Sequence, residues 1–319
     1  MALAAALTLS PGIAVADPGD HGSTGELRAK LNAATRDYNN AKGRVAASRK
    51  KQKKLGKEIK SLEAKSEELY GSVGRMAATV YKGSYADTVA ALMDSGSPES
   101  LAEGMATVSY LATRDHKQIQ ALADTRDTLA KKRYAVQLEM RKQRAQLKKM
   151  ANRKKEALKA LMAAGGGDPT GGPDGGAPSA DPSPRAPDGS WPPQTCSEDD
   201  PTTGGCLTPR TRHALEEARE AGYTRYTKCW RQSDGDHGAG RACDFAAFTD
   251  GFRNEPAYGS DKRYGDNLAG WFVANADPLA VNYVIWYKRI WMPGSGWGTY
   301  NGGGDPASDH TNHVHVSIQ

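Results

Sequence analysis

Tryptophan and cysteine are missing from the first 190 residues of this 319-residue chain; all six tryptophans and all four cysteines lie from Trp191 onward. A stretch without cysteine has no disulfide to staple the core of a small exported domain, so the N-terminal part must be stabilised in another way. Proline is almost absent there too, with Pro98 alone between Thr24 and Ala164, which removes the main obstacle to long helices. No apolar run is long enough to span a bilayer: Met1 to Ala16 is short and is broken by Pro11. The net charge of +6 and the run Lys50-Lys51-Gln52-Lys53-Lys54 come without interleaved aromatics, and Glu58, Glu63, Glu67 and Glu68 follow closely. That excludes the stacking platform of a single-strand binder, and no nucleic-acid partner is expected.

What is present divides the chain into four parts. Ala14-Val15-Ala16 before Asp17 fits a small-residue signal-peptidase site. Residues 1–16 are therefore expected to be a signal peptide, with a start upstream or a trimmed sequence accounting for the missing basic n-region, and the protein is expected to be secreted, extracellular or in the cell envelope. Residues 24–164 are rich in Ala, Lys, Arg, Glu, Gln and Leu, all good helix formers. Leu31, Tyr38, Val45, Gln52, Ile59, Ser66, Val73 and Val80 form one heptad column, and Ala34, Ala41, Ser48, Leu55, Leu62, Leu69 and Met76 the complementary one. On the return stretch Ile119, Met140 and Leu147 are expected to face the seam with Leu122, Leu129, Val136 and Met150, interrupted by Arg126, Arg133 and Gln143. Breakers at Gly83-Ser84-Tyr85 and Ser95-Gly96-Ser97-Pro98, flanking a short helix over Thr88 to Met93, predict an antiparallel hairpin. Each arm would extend roughly 75 Å at about 1.5 Å per residue.

Residues 165–194 have the Gly, Pro, Ser and Asp composition of a flexible, disordered linker. Residues 195–319 are long enough for one α+β core. Thr208 and Pro209 open a helix that Gly222 ends. A second helix is predicted over Asp266 to Ala276, and one central strand over Asn282 to Trp291. Cys196, Cys206, Cys229 and Cys243 are an even set, so two disulfides are expected, of which the pairings Cys196 with Cys206 and Cys229 with Cys243 are favoured among three. A cysteine-ligated zinc is the rival, but no Cys-x-x-Cys spacing is present.

The chemistry is concentrated in two segments, Asp236-His237-Gly238-Ala239-Gly240-Arg241-Ala242-Cys243-Asp244 and Asp309-His310-Thr311-Asn312-His313-Val314-His315-Val316, which hold four of the seven histidines. A catalytic zinc takes three imidazole or carboxylate ligands and keeps one position open. His237, Asp244 and His315 could supply them. If His313 to Val316 is a strand, His313 and His315 share a face and the valines point into the core, so one histidine can bind metal while the other stands beside it. His313 is a candidate base, and Asp309 a candidate carboxylate to fix a histidine tautomer. Arg231 is a candidate oxyanion or carboxylate clamp. Trp291, Trp297 and Tyr300 are candidates for a substrate groove, whereas Trp286 suits core packing.

The pattern His, six residues, Asp, then His-x-x-His-x-His resembles the zinc peptidases grouped with lysostaphin, D-Ala-D-Ala carboxypeptidases and hedgehog, and most of all the penicillin-insensitive murein endopeptidases. That resemblance implies zinc on His237, Asp244 and His315, with His313 beside the attacking water and His310 as a further active-site histidine. The carboxypeptidase branch has Ser two residues before the first ligand and a Glu base; here Gly235 takes that place and no glutamate follows Glu255. The stretch from Gly74-Arg75-Met76-Ala77-Ala78 to Leu92-Met93-Asp94-Ser95-Gly96-Ser97-Pro98-Glu99 resembles the N-terminal coils of secreted Gram-positive cell-wall hydrolases. The resemblances imply a zinc-dependent peptidoglycan peptidase, an endopeptidase or carboxypeptidase, with a coil that positions it or meets a membrane-bound regulator. The expected fold is multidomain: a long antiparallel α-helical coiled-coil hairpin and a small α+β zinc-peptidase-like domain joined by a disordered linker. Alternatives of another class are a non-catalytic wall-binding module with a structural zinc, and a coiled-coil scaffold.

Overall fold

The computed structural model describes residues 25–319 except 84–86, 88, 92–93, 95–96, 164, 169, 177 and 234. The expected signal peptide lies outside the described residues, as do Ser84, Tyr85, Ser95 and Gly96 and part of the short helix expected over Thr88 to Met93. Two long helices follow from the proline-poor stretch, α1 (Gly25–Tyr81) and α2 (Pro98–Ala163). The chain forms two compact units: one combines the chain up to Val45 with Gln146–Gln319, the other is Ala46–Ala145. Among the described residues no helix is long and apolar enough to cross a membrane.

Within Ala46–Ala145 the helices run antiparallel, since Gln52 bonds to Gln143 and Ser72 to Gln118, while Lys132 pairs with Glu58 and Arg133 with Glu63. This is compatible with the expected coiled coil, and Leu55 and Leu122 are buried on its seam. The return arm corrects one expected column. Ile119, Met140 and Leu147 are exposed; one position earlier, Gln118 and Glu139 make the cross-helix hydrogen bonds. Leu122 fits a heptad with either neighbour, and pairing of polar groups across the seam selects the polar column.

The remainder is α+β. A hairpin of β1 (Glu198–Asp199) and β2 (Cys206–Leu207) precedes α3 (Pro209–Glu220). The Thr208 side chain caps α3 by accepting from the Thr211 N–H, and Gly222 beyond its end has φ +94°, both as the sequence implies. There follow β3 (Thr227–Lys228), β4 (Ala242–Ala246), α4 (Gly259–Ala274), β5 (Val281–Trp286), β6 (Arg289–Met292), β7 (Gly296–Thr299) and β8 (His313–Ile318). The sheet order is β3-β4-β8-β5-β6-β7, antiparallel throughout. The single strand expected over Asn282 to Trp291 is a hairpin, because Tyr287 and Lys288 both take positive φ, 51° and 61°, as a two-residue primed turn requires.

Strand alternation gives the sheet two different faces. One packs Phe245, Val284, Trp286, Val314 and Val316 against Leu215, Leu268 and Phe272 of α3 and α4. The other carries Asp244, His313, His315, Tyr283 and Ile285, and here Leu31, Ala34, Ala157, Ala160 and Leu161 of α1 and α2 cluster with Tyr283, Ile285, Ile290 and Met292. Disulfides join Cys196 to Cys206 and Cys229 to Cys243, in keeping with an oxidising compartment.

Segment 165–194 forms no helix or strand in its described residues, but the freely searching coil expected from its composition is replaced by a bound one. Gly167 donates to Thr299, Thr170 to Trp297 and Ser183 to Pro278 through their backbones. Ser179 and Ala180 donate to the Asn275 side chain. The segment thereby covers the exposed edge of β7. Trp297 belongs to this contact and not to an open groove: it is buried, and its indole donates to the Pro173 carbonyl. Trp286 is core, donating to Asp266.

Candidate metal centre

The two histidine segments meet on adjacent strands, with Asp244 of β4 directly opposite His315 of β8. His237 comes from the loop before β4. Gly238 lets that loop close, since a Cβ there would sit 1.9 Å from the Ser233 carbonyl oxygen, and Gly240 turns it with φ +66°. The Cys229–Cys243 disulfide ties the far side of the loop to β4. His237 is thus aimed by a covalently held backbone, for its Nδ1 lies in hydrogen-bond contact with the Cys229 carbonyl.

His237, Asp244 and His315 each present a ligand atom within 4.8 Å of the others. His237 Nε2 lies 3.2 Å from His315 Nδ1 and 3.2 Å from an Asp244 oxygen; His315 Nδ1 lies 2.8 Å from the other Asp244 oxygen. Zinc–ligand bonds of about 2.0–2.1 Å at tetrahedral angles put neighbouring donors roughly 3.3 Å apart, so the spacing suits that ion. The proton inventory also fits. With Nδ1 donating to Cys229, a neutral His237 turns a lone pair towards a carboxylate, an arrangement that a cation would satisfy.

His313 sits beside this triad. Its Nδ1 lies 2.6 Å from Asn312 Oδ1, so a neutral ring that donates there keeps its lone pair on Nε2. That atom is buried without a hydrogen-bond partner, 3.6 Å from an Asp244 oxygen. Burial pushes His313 down to about 3, against the pull of Asp244, and lowers His315 in the same way. Burial acts to raise the Asp244 carboxyl, but His237, His313 and Arg231 outweigh it and hold it well below the usual carboxylate range. The rings of His310 and His313 lie 4.6 Å apart, and Tyr300 contacts His310 edge-on.

Two roles read from the sequence are corrected by the geometry. Arg231 donates to Asp244 at 2.7 Å, so its guanidinium orients a candidate ligand and is not a free clamp. Asp309 fixes no histidine: its carboxylate pairs with Lys288 at 3.0 Å and accepts from the Gly304 N–H. Asn312 and the Cys229 carbonyl take the tautomer-setting places. Asp236 escaped the sequence reading. It is buried and accepts from Tyr283, Ser317 and Asn32, and Tyr283 in turn stacks on His315 with ring centroids 5.5 Å apart. Its position next to His237 was the available signal. All the histidines of the cluster are buried, His315 at 6 % exposure being the most open.

Residues 203–311 match a family model described as VldE, C-terminal domain. The match covers about a third of the chain, includes His237, Asp244 and His310, and ends before His313 and His315. No curated protein and no solved structure matches the chain.

Proposed function

We propose that the C-terminal part is a zinc-dependent peptidase acting on stem peptides or cross-links of peptidoglycan, in a protein exported to the cell envelope. The helical hairpin positions or regulates it, in contact with the wall and with a membrane-bound regulator. The observation that carries this reading is the convergence of His237, Asp244 and His315 at the spacing of zinc ligands. A zinc ion held there would polarise a scissile carbonyl and lower the pKa of a water to about 7. His313, its Nδ1 held by Asn312 and its Nε2 without a hydrogen-bond partner, is placed to accept the water's proton at Nε2 and return it to the leaving amine. His310 packs against His313 and confines its ring. Arg231 holds Asp244 in the orientation that its role requires. The substrate class is supported by the disulfide-forming compartment and by the spacing of the two histidine segments.

Burial of the whole cluster favours a second reading, a wall-binding module in which His313 closes a structural metal site as its fourth ligand. One experiment separates the two. Zinc content and amine release from peptidoglycan peptides are measured together on wild type, His315→Ala and His313→Ala. In the peptidase, His315→Ala loses both, while His313→Ala keeps zinc and loses about 10² or more in rate. Zinc lost alike in both variants, with no amine released by wild type, identifies the structural site.

A further inference from the structure

Three arginines, Arg36, Arg210 and Arg241, line one cavity of ≈ 680 Å³ between α1, the Trp191-Pro192-Pro193 segment and the loop before β4. Among the described residues no carboxylate pairs with any of them. Arg210 is 3 % exposed, yet it donates only to main-chain oxygens, from Nε to Gln319 at 2.7 Å and from Nη1 to Pro192 at 2.9 Å. Arg241 donates to the Gln194 carbonyl, and Arg36, half-buried on α1, makes no hydrogen bond among the described residues. Burial lowers Arg210 to about 10, with Arg241 and Arg185 pushing the same way. Burial and then Arg36 lower Arg241, against the pull of Asp236. The guanidiniums therefore repel one another across the cavity. The carboxylates in its lining are engaged elsewhere: Asp37 pairs with Lys149 and Arg153, at 3.5 and 2.8 Å, and Asp236 accepts from Asn32, Tyr283 and Ser317.

A second observation has the opposite polarity. Gln319 lines the same cavity at 3 % exposure, and its Oε1 is buried with no hydrogen-bond partner. A buried acceptor calls for a donor, which a bare oxyanion does not have and a hydroxyl group does. From this we infer that the cavity binds a small phosphate monoester that carries hydroxyl groups: its phosphate oxygens meet the guanidiniums of Arg36 and Arg241, and a hydroxyl donates to Gln319 Oε1. Guanidinium forks match phosphate and carboxylate alike. Two guanidiniums without any carboxylate balance the nearly twofold charge of a phosphate monoester, however, and not the single charge of a carboxylate. The volume suits a small ligand, and Trp191, Pro192 and Pro193 supply an apolar wall for its carbon body. The site needs no metal on the histidines and does not depend on the peptidase reading.

The test titrates the metal-free full chain by calorimetry, at fixed ionic strength, with glycerol 3-phosphate, inorganic phosphate, glycerate and glycerophosphoglycerol. Glycerol 3-phosphate is expected to saturate a single site and to bind about tenfold or more tighter than glycerate or the singly charged phosphodiester, which separates a free monoester from the interior of a phosphodiester polymer. Arg36→Gln and Arg241→Gln should each weaken it about tenfold or more, the effect of losing a charge-assisted contact. Gln319→Ala should leave inorganic phosphate unchanged and remove the advantage of glycerol 3-phosphate over it. Thermal unfolding gives a readout that a merely structural arginine would not: Arg36→Gln relieves repulsion, so its midpoint without phosphate should equal or exceed that of wild type, while the rise that glycerol 3-phosphate gives wild type is lost. No saturable binding by wild type, or binding that neither arginine variant weakens, overturns the site. Glycerate or the diester bound as tightly as glycerol 3-phosphate overturns the monoester. Should Arg241→Gln misfold, Arg36→Gln decides alone, since Arg36 makes no hydrogen bond among the described residues that the change would break.

Discussion

The candidate centre depends on one carboxylate that would be costly to bury alone. Asp244 is 0 % exposed and is approached by Arg231, His237, His313 and His315. Removing it would leave those groups facing a void, and Asp244→Ala is expected to cost about 3–5 kcal/mol in metal-free protein, read from urea unfolding. Acid should act on the same cluster. His313 and His315 have folded pKa values below the unfolded 6.5, so the unfolded state binds more protons as pH falls. Stability is complete above about pH 6.5 and declines below it, by about 1.4 kcal/mol per pH unit through His313 and in the same direction through His315. Asp244, held low, adds to the loss only under about pH 4. Between pH 7.5 and 5 the metal-free protein should lose about 2 kcal/mol through His313, with His315 adding in the same direction, and His313→Gln should flatten the slope. A pH-independent unfolding midpoint over that range would contradict the neutral, buried assignment.

At the scale of elements, two connections hold the site strands in place. The β5–β6 turn places Tyr287 and Lys288 at positive φ, and their N–H groups bond to the carbonyls of His310 and Asp309. The turn therefore fixes the loop that leads into β8. Lys288→Gly relieves left-handed strain and gives up only a partly exposed ion pair with Asp309; a gain of about 0.5–1 kcal/mol is expected in thermal unfolding. The Cys229–Cys243 bond closes a sequence separation of 14 and carries the carbonyl that contacts His237. A Cys229→Ser, Cys243→Ser protein should lose about 3 kcal/mol of stability and bind zinc more weakly. Unchanged zinc affinity would separate the disulfide from the site.

At the scale of the whole molecule, Ala46–Ala145 has neither tryptophan nor cysteine. Tryptophan fluorescence thus reports on the other unit alone, while far-ultraviolet circular dichroism reports both. The two urea transitions are expected not to coincide, and superimposable curves would show a single cooperative unit. The sequence alone determined whatever depends on near neighbours: long helices from a proline-poor stretch, the cap at Thr208, and the shared face of His313 and His315; it left three disulfide pairings open, of which the structure has the favoured one. Period and spacing report which side of an element a residue occupies. They do not report what lies opposite. The polar seam column at Gln118 and Glu139, the bound course of segment 165–194, the break of one expected strand at Tyr287, and the packing of α1 and α2 on Tyr283, Ile285, Ile290 and Met292 were decided by contacts between distant parts of the chain. Asn32 and Asp236, which join α1 to the site loop, are 204 residues apart, and nothing local to either residue marks the other as its partner.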